Sequence, residues 1–179
     1  MAYKDTKIIR YAARLACIHD YIFLDDMTRD IESLSRDKCI ESIKTLGAYV
    51  LKNGNNIDDP ANMLWKQASR EAEGIGNKDI EAVERWDLVD ASKYYNNQRR
   101  EIEAALCLKE AYRRDGGTPF EIGKRVGVPV WTLHGWTDFQ RRIPWKLVLS
   151  IEALQKEGES EITVDEAIKG MNKIDWKQR

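Results

Sequence analysis

Apolar residues recur at steps of three and four along most of this chain, β-branched residues rarely alternate with polar ones, and only four prolines interrupt the pattern. A helical period throughout predicts an all-α fold. Ile8, Ile9, Ala12, Leu15, Ala16 and Cys17, with Arg10 and Arg14 between them, predict a helix from about Asp5 to Leu24 with one broad apolar face. A shorter helix is expected from Asp26 to Leu34, and Tyr21 to Leu24 are expected in a core or an interface. A third helix, from about Ser35 to Leu51, turns Cys39, Ile40, Ile43, Leu46 and Val50 inward. Lys52-Asn53-Gly54-Asn55-Asn56 stops the period, because Gly and Asn tolerate positive φ, and a loop or small wing is expected there.

Asp59 before Pro60 is a start signal, with a carboxylate to accept a free amide and a proline where no amide is needed; the helix it opens runs to about Glu73. Gly74-Ile75-Gly76-Asn77 breaks the pattern, and Asn77 is placed to cap the next helix. From Asp79 to Arg114 the chain is helical again, with a break near Asp87 to Asp90, and Asp115-Gly116-Gly117 ends it. The expected organisation is an N-terminal helical module over residues 1–73, either a dimerisation unit or winged-helix-like, and a C-terminal domain over residues 79–179. The turn near Leu34-Ser35 lacks a glycine, and Asp25, Asp26, Asp30, Glu32 and Asp37 give it an acidic rim that repels phosphate.

The most informative stretch runs from Thr118 to Leu154. Thr118, Pro119 and Glu121 form a capping box with proline in the first turn, so a helix starts there. Gly127 ends it, Val128 and Pro129 turn the chain, and a second helix is expected from Pro129 to Thr137. Leu133 and Trp136 share one face of that helix and meet Ile122 and Val126 of the helix before it. Gly123 supplies the small residue at the crossing. The spacing of Gly123, Gly127, Val128, Leu133 and Trp136 resembles the helix-turn-helix of the phage repressor and Cro-like family. The resemblance continues into Arg141-Arg142-Ile143-Pro144, and Leu147, Leu149, Ile151 and Leu154 look like that family's following core helix. It covers roughly the last 70 residues.

The resemblance implies duplex-DNA binding by a regulator of phage or mobile-element type, with Pro129 to Thr137 as the recognition helix and a homodimer as the bound state. Charge agrees locally. The chain as a whole carries 29 Lys and Arg against 30 Asp and Glu, but Lys109 to Lys146 holds eight basic and four acidic residues, a local +4. Thr118, Lys124, Arg125, Arg141 and Arg142 are expected to hold phosphates, which gives affinity without sequence information. Val130, Trp131, Thr132, His134 and Gly135 stand where the family reads bases, and none is Arg, Lys, Gln or Asn. Thr132 and His134 each offer one hydrogen bond, and Val130 suits a thymine methyl. Trp131 lies on the outward side if Leu133 and Trp136 face the seam; it either packs on a neighbouring helix or contacts DNA or a partner.

Catalysis finds little support. His19 and His134 are more than a hundred residues apart, with no nucleophile motif at hand. Gly74-Ile75-Gly76 lacks the strand and third glycine of a dinucleotide loop, and the three widely spaced cysteines suggest neither disulfides nor zinc. No enzyme activity, cofactor or metal is expected. No apolar run reaches membrane-spanning length and no signal peptide is recognised, so a cytoplasmic location is expected. A second function class stays open: a protein-binding inhibitor or adaptor, such as a phage counter-defence factor, using the helical scaffold with Trp131, Trp145 and the acidic first half. RNA also remains open as the nucleic acid.

Overall fold

A computed structural model describes residues 2–24, 29–116, 118–156 and 161–174. Among these the fold is all-α, without a strand. The chain divides into two compact units, residues 1–99 and 100–179.

In the first unit, α1 (Ala2–Phe23) packs on α2 (Arg36–Asn53), α3 (Pro60–Glu71) and α4 (Asn77–Glu81). Ile9, Leu15, Ile18, Leu46, Leu64 and Ile80 are fully buried. The expected single apolar face of α1 is too narrow a description, because every residue from Tyr11 to Ile18 is buried, Arg14 among them. An enclosed guanidinium needs partners. Arg14 has an ion pair with Glu71 and donates to Gln98 Oε1 at 2.7 Å and Gln67 Oε1 at 3.2 Å. Asp20, one turn before the end of α1, is also buried; it accepts from Lys38 Nζ at 2.9 Å and from Tyr95 Oη, and lies 2.9 Å from His19 Nδ1. Burial pushes its carboxyl up, but the hydrogen bonds from Tyr95, Lys38 and His19 together hold it below the usual carboxylate range.

The short helix expected over Asp26 to Leu34 is not observed where the chain is described: residues 29–35 are irregular, and residues 25–28 lie outside the described residues. Asn96 ties that irregular stretch through both the amide and the carbonyl of Ile31, satisfying polar groups that a helix would have paired internally. The Gly54–Asp58 segment is a turn rather than a wing, held by Asn62 Nδ2 on the carbonyls of Gly54 and Asn56. A winged-helix arrangement of the first module is therefore corrected to a helical bundle around α1.

Gly76, rather than Asn77, precedes α4, and its amide donates to Asp79 Oδ2 at 2.9 Å. The expected break near Asp87 is a 3-10 turn at Trp86–Leu88, after which α5 (Ala91–Asp115) begins. The expected boundary at residues 74–78, between modules 1–73 and 79–179, moves to the Arg99–Arg100 step inside α5. Ile80, Val83, Trp86 and Tyr95 complete the first unit's core, and the Trp86 indole donates to the Leu34 carbonyl at 3.0 Å. Glycines at a turn mark where a helix stops, not where a core ends.

The second unit is built from the C-terminal part of α5 with α6 (Pro119–Val126), α7 (Val130–Thr137), α8 (Trp145–Lys156) and α9 (Val164–Asn172). Leu108, Ile122, Leu133, Trp136, Ile143, Leu147, Ile151, Ile162 and Met171 form one core. Leu149, expected in it, is exposed, and Val148 is buried in its place. Leu147, Val148 and Ile151 follow the helical three-and-four step, whereas Leu149 falls on the opposite side.

Candidate nucleic-acid interface

The local sequence dictates the path from α6 to α7. Thr118 caps α6 by accepting the Glu121 amide at 3.3 Å, and Gly127 ends it in the left-handed conformation at φ +70°, its amide returning to the Gly123 carbonyl at 2.9 Å. Val128 and Pro129 bridge to α7, whose first bond runs from the Thr132 amide to the Pro129 carbonyl. Gly123 is required because a Cβ there would lie 2.6 Å from the Val128 carbonyl oxygen. Ile122, Val128, Leu133 and Trp136 are buried together, as the spacing anticipates.

This packing decides which side of α7 faces water. Thr132, Leu133, Trp136 and Thr137 are buried, whereas Val130 is half-buried and Trp131 and His134 are exposed. Thr132, expected to hydrogen-bond a base, lies one helical turn before Trp136 and shares its inward side, so its hydroxyl is not offered outward. Trp131 is 64% exposed, so most of its surface is left open by the neighbouring helices among the described residues. Phe120 on α6 is 59% exposed, with Lys124 Nζ 4.4 Å from its ring centroid.

The eight basic residues between Lys109 and Lys146 fall into two groups. Arg113 pairs with Glu110, Arg114 with Asp115 and Glu161, Arg125 with Asp165 at 3.2 Å, and Arg142 with Glu101 at 2.6 Å. Arg142 serves a buried carboxylate, so its charge is already committed to the fold. The Arg125–Asp165 pair is exposed on both sides and is weak, so a phosphate can compete for that guanidinium. Lys109, Lys124, Arg141 and Lys146 make no ion pair among the described residues.

Arg141 is seated by a feature that the spacing did not single out. A Cβ on Gly135 would lie 2.8 Å from Arg141 Cδ and 2.9 Å from its Cγ, and the Arg141 amide donates to the Gly135 carbonyl at 3.0 Å. The Arg141 stem thus lies against α7. A glycine inside a helix is costly, and that cost was the available signal for a close approach.

A concavity lies where Asp115, Glu121, Arg125, Thr163 and Asp165 meet. Asp115 Oδ2 accepts the Val164 amide at 2.8 Å and Arg125 holds Asp165, so these polar groups already have partners. Its three carboxylates against one arginine disfavour an anion. No cluster of His, Cys, Asp and Glu suited to a metal occurs among the described residues, and no helix there is long and apolar enough to cross a membrane. No protein-family model matches the chain, and no curated protein or solved structure shows significant similarity to it.

Proposed function

We propose that this protein is a DNA-binding regulator of phage or mobile-element type that lays α7 against duplex DNA. The observation that carries this reading is the exposed part of α7, Val130, Trp131 and His134, on a helix pair served by two cations that make no ion pair among the described residues, Lys124 on α6 and Arg141 against Gly135. Such a surface supplies both contact area and phosphate attraction. Thr118 extends the phosphate-facing rim from the same helix pair, and Arg125 joins it by exchanging its exposed partner Asp165 for a phosphate. Arg142 holds Glu101 and acts on the fold instead. A symmetric dimer, placing two copies of α7 one DNA turn apart, completes the proposal.

Fluorescence anisotropy with a labelled 30-base-pair duplex, at several salt concentrations, tests this reading. Lys124→Ala combined with Arg141→Ala should weaken binding to every duplex and reduce the salt slope by about two, one per phosphate contact. Affinity and slope equal to those of the unaltered protein would contradict it.

A second reading is favoured by one specific observation, the pair of exposed aromatics Phe120 and Trp131. Such side chains anchor protein interfaces, and an inhibitor or adaptor would use them. A host protein retained on the immobilised chain after nuclease treatment, and lost with Trp131→Ala, would select this reading over DNA.

A further inference from the structure

We propose, resting on the duplex-binding reading, that α7 selects its site by apolar contact, with Val130 and Trp131 recognising the C5-methyl groups of thymine in the major groove. Three observations converge on this. Thr132 is buried, which removes one of the two hydrogen-bonding side chains that the sequence offers to a base. Val130 and Trp131 are consecutive at the start of α7, the part of such a helix that meets base edges, and both reach solvent. Trp131 is the most exposed tryptophan among the described residues of this unit, with 64% of its surface open to solvent.

The chemistry of the groove then narrows the choice. Guanine, adenine and cytosine mark the major groove only with donors and acceptors, which Val cannot read and an indole can read only as a single donor; thymine alone adds a methyl group. Lys124 on α6 and Arg141, whose stem lies against Gly135, supply the cations that can hold this helix pair to the backbone while the apolar edge makes that contact. Asp138, exposed at the other end of α7, opposes close approach of phosphate there and favours insertion by the end that carries Val130 and Trp131.

The test is selection of binding duplexes from a random 20-base-pair pool, followed by titration of a recovered duplex and of the same duplex with deoxyuridine in place of thymine. Uracil keeps every hydrogen-bonding group and lacks only the methyl. Recovered duplexes should be enriched in T·A pairs, and each contacted methyl should contribute about threefold to fivefold in affinity. Trp131→Ala should bring the thymine-to-uracil ratio close to one with the salt slope retained, whereas Lys124→Ala should lower the slope with the ratio retained. Because Trp131 is exposed, its replacement leaves the core intact; Val130→Ala gives an independent second reading of the ratio. Equal affinity for the thymine and uracil duplexes, or a ratio unchanged in Trp131→Ala, would overturn methyl recognition while leaving duplex binding in place. Failure to recover or bind any duplex at low salt would overturn the duplex-binding reading itself, and methyl recognition with it.

Discussion

Single side chains show where this chain departs from a simple inside-outside pattern. Arg14 and Asp20 read as polar interruptions of α1, yet both are buried and both are satisfied by residues far away in sequence: Gln67, Glu71 and Gln98 for Arg14, Lys38 and Tyr95 for Asp20. Partners separated by tens of residues leave no local signal, so periodicity could identify the helix but not its enclosure. Asp20 is held below its usual range in the folded protein, so its contribution to stability is present above the unfolded value of 3.8 and is lost as pH falls through the lower folded value. Urea midpoints measured from about pH 5 downward should therefore fall more steeply for the unaltered protein than for Asp20→Asn, which should be less stable at neutral pH by about 1–3 kcal/mol. Tyr112 presents the opposite case: its hydroxyl is buried without a hydrogen-bond partner among the described residues, and its pKa is driven up by burial. Tyr112→Phe should leave the urea midpoint unchanged or raise stability by about 1 kcal/mol, as expected when an unsatisfied polar atom is removed from a core.

Helix ends and turns were the most legible features. Ser35, Asp59 and Thr118 accept amides at the starts of α2, α3 and α6, and Gly127 ends α6 in the left-handed conformation. These signals act within four residues, so sequence carries them in full. Thr163 and Glu166 form a full reciprocal capping box at the start of α9, whereas Thr118 and Glu121, expected to form one, show only the Thr118 half; α9 could have been anticipated from that spacing alone. The irregular run over residues 29–35 was not legible, because the side chains that stabilise it, Asn96 and Trp86, come from later elements. The close crossing at Gly123 makes a direct prediction. Gly123→Ala should destabilise the second unit by about 2 kcal/mol or more, because the clash is with backbone oxygen and cannot be relieved by a side-chain rotation. Thr163→Ala should cost about 1 kcal/mol by removing the cap of α9. Thermal denaturation of the two variants checks both values, and a Gly123→Ala midpoint equal to that of the unaltered protein would contradict the crossing.

Across the molecule, the all-α class was readable from periodicity, whereas the division into units was not, because a long helix can belong to two cores and α5 does so across Arg99–Arg100. The charge distribution was half legible. Counting along the chain finds the basic stretch from Lys109 to Lys146, but Glu101, Glu161 and Asp165, which lie outside it, neutralise three of its arginines in space. What remains is a smaller surface around α7, with Lys124, Trp131, His134 and Arg141, and the proposed function depends on it. The most direct test is an amide and indole NMR titration of the isotope-labelled chain with a 20-base-pair duplex at low salt. The account predicts shifts concentrated from Lys124 to Gly135, at the Trp131 indole and at Arg141, with residues 2–24 unaffected; an unperturbed α7, or shifts confined to the first unit, would contradict it.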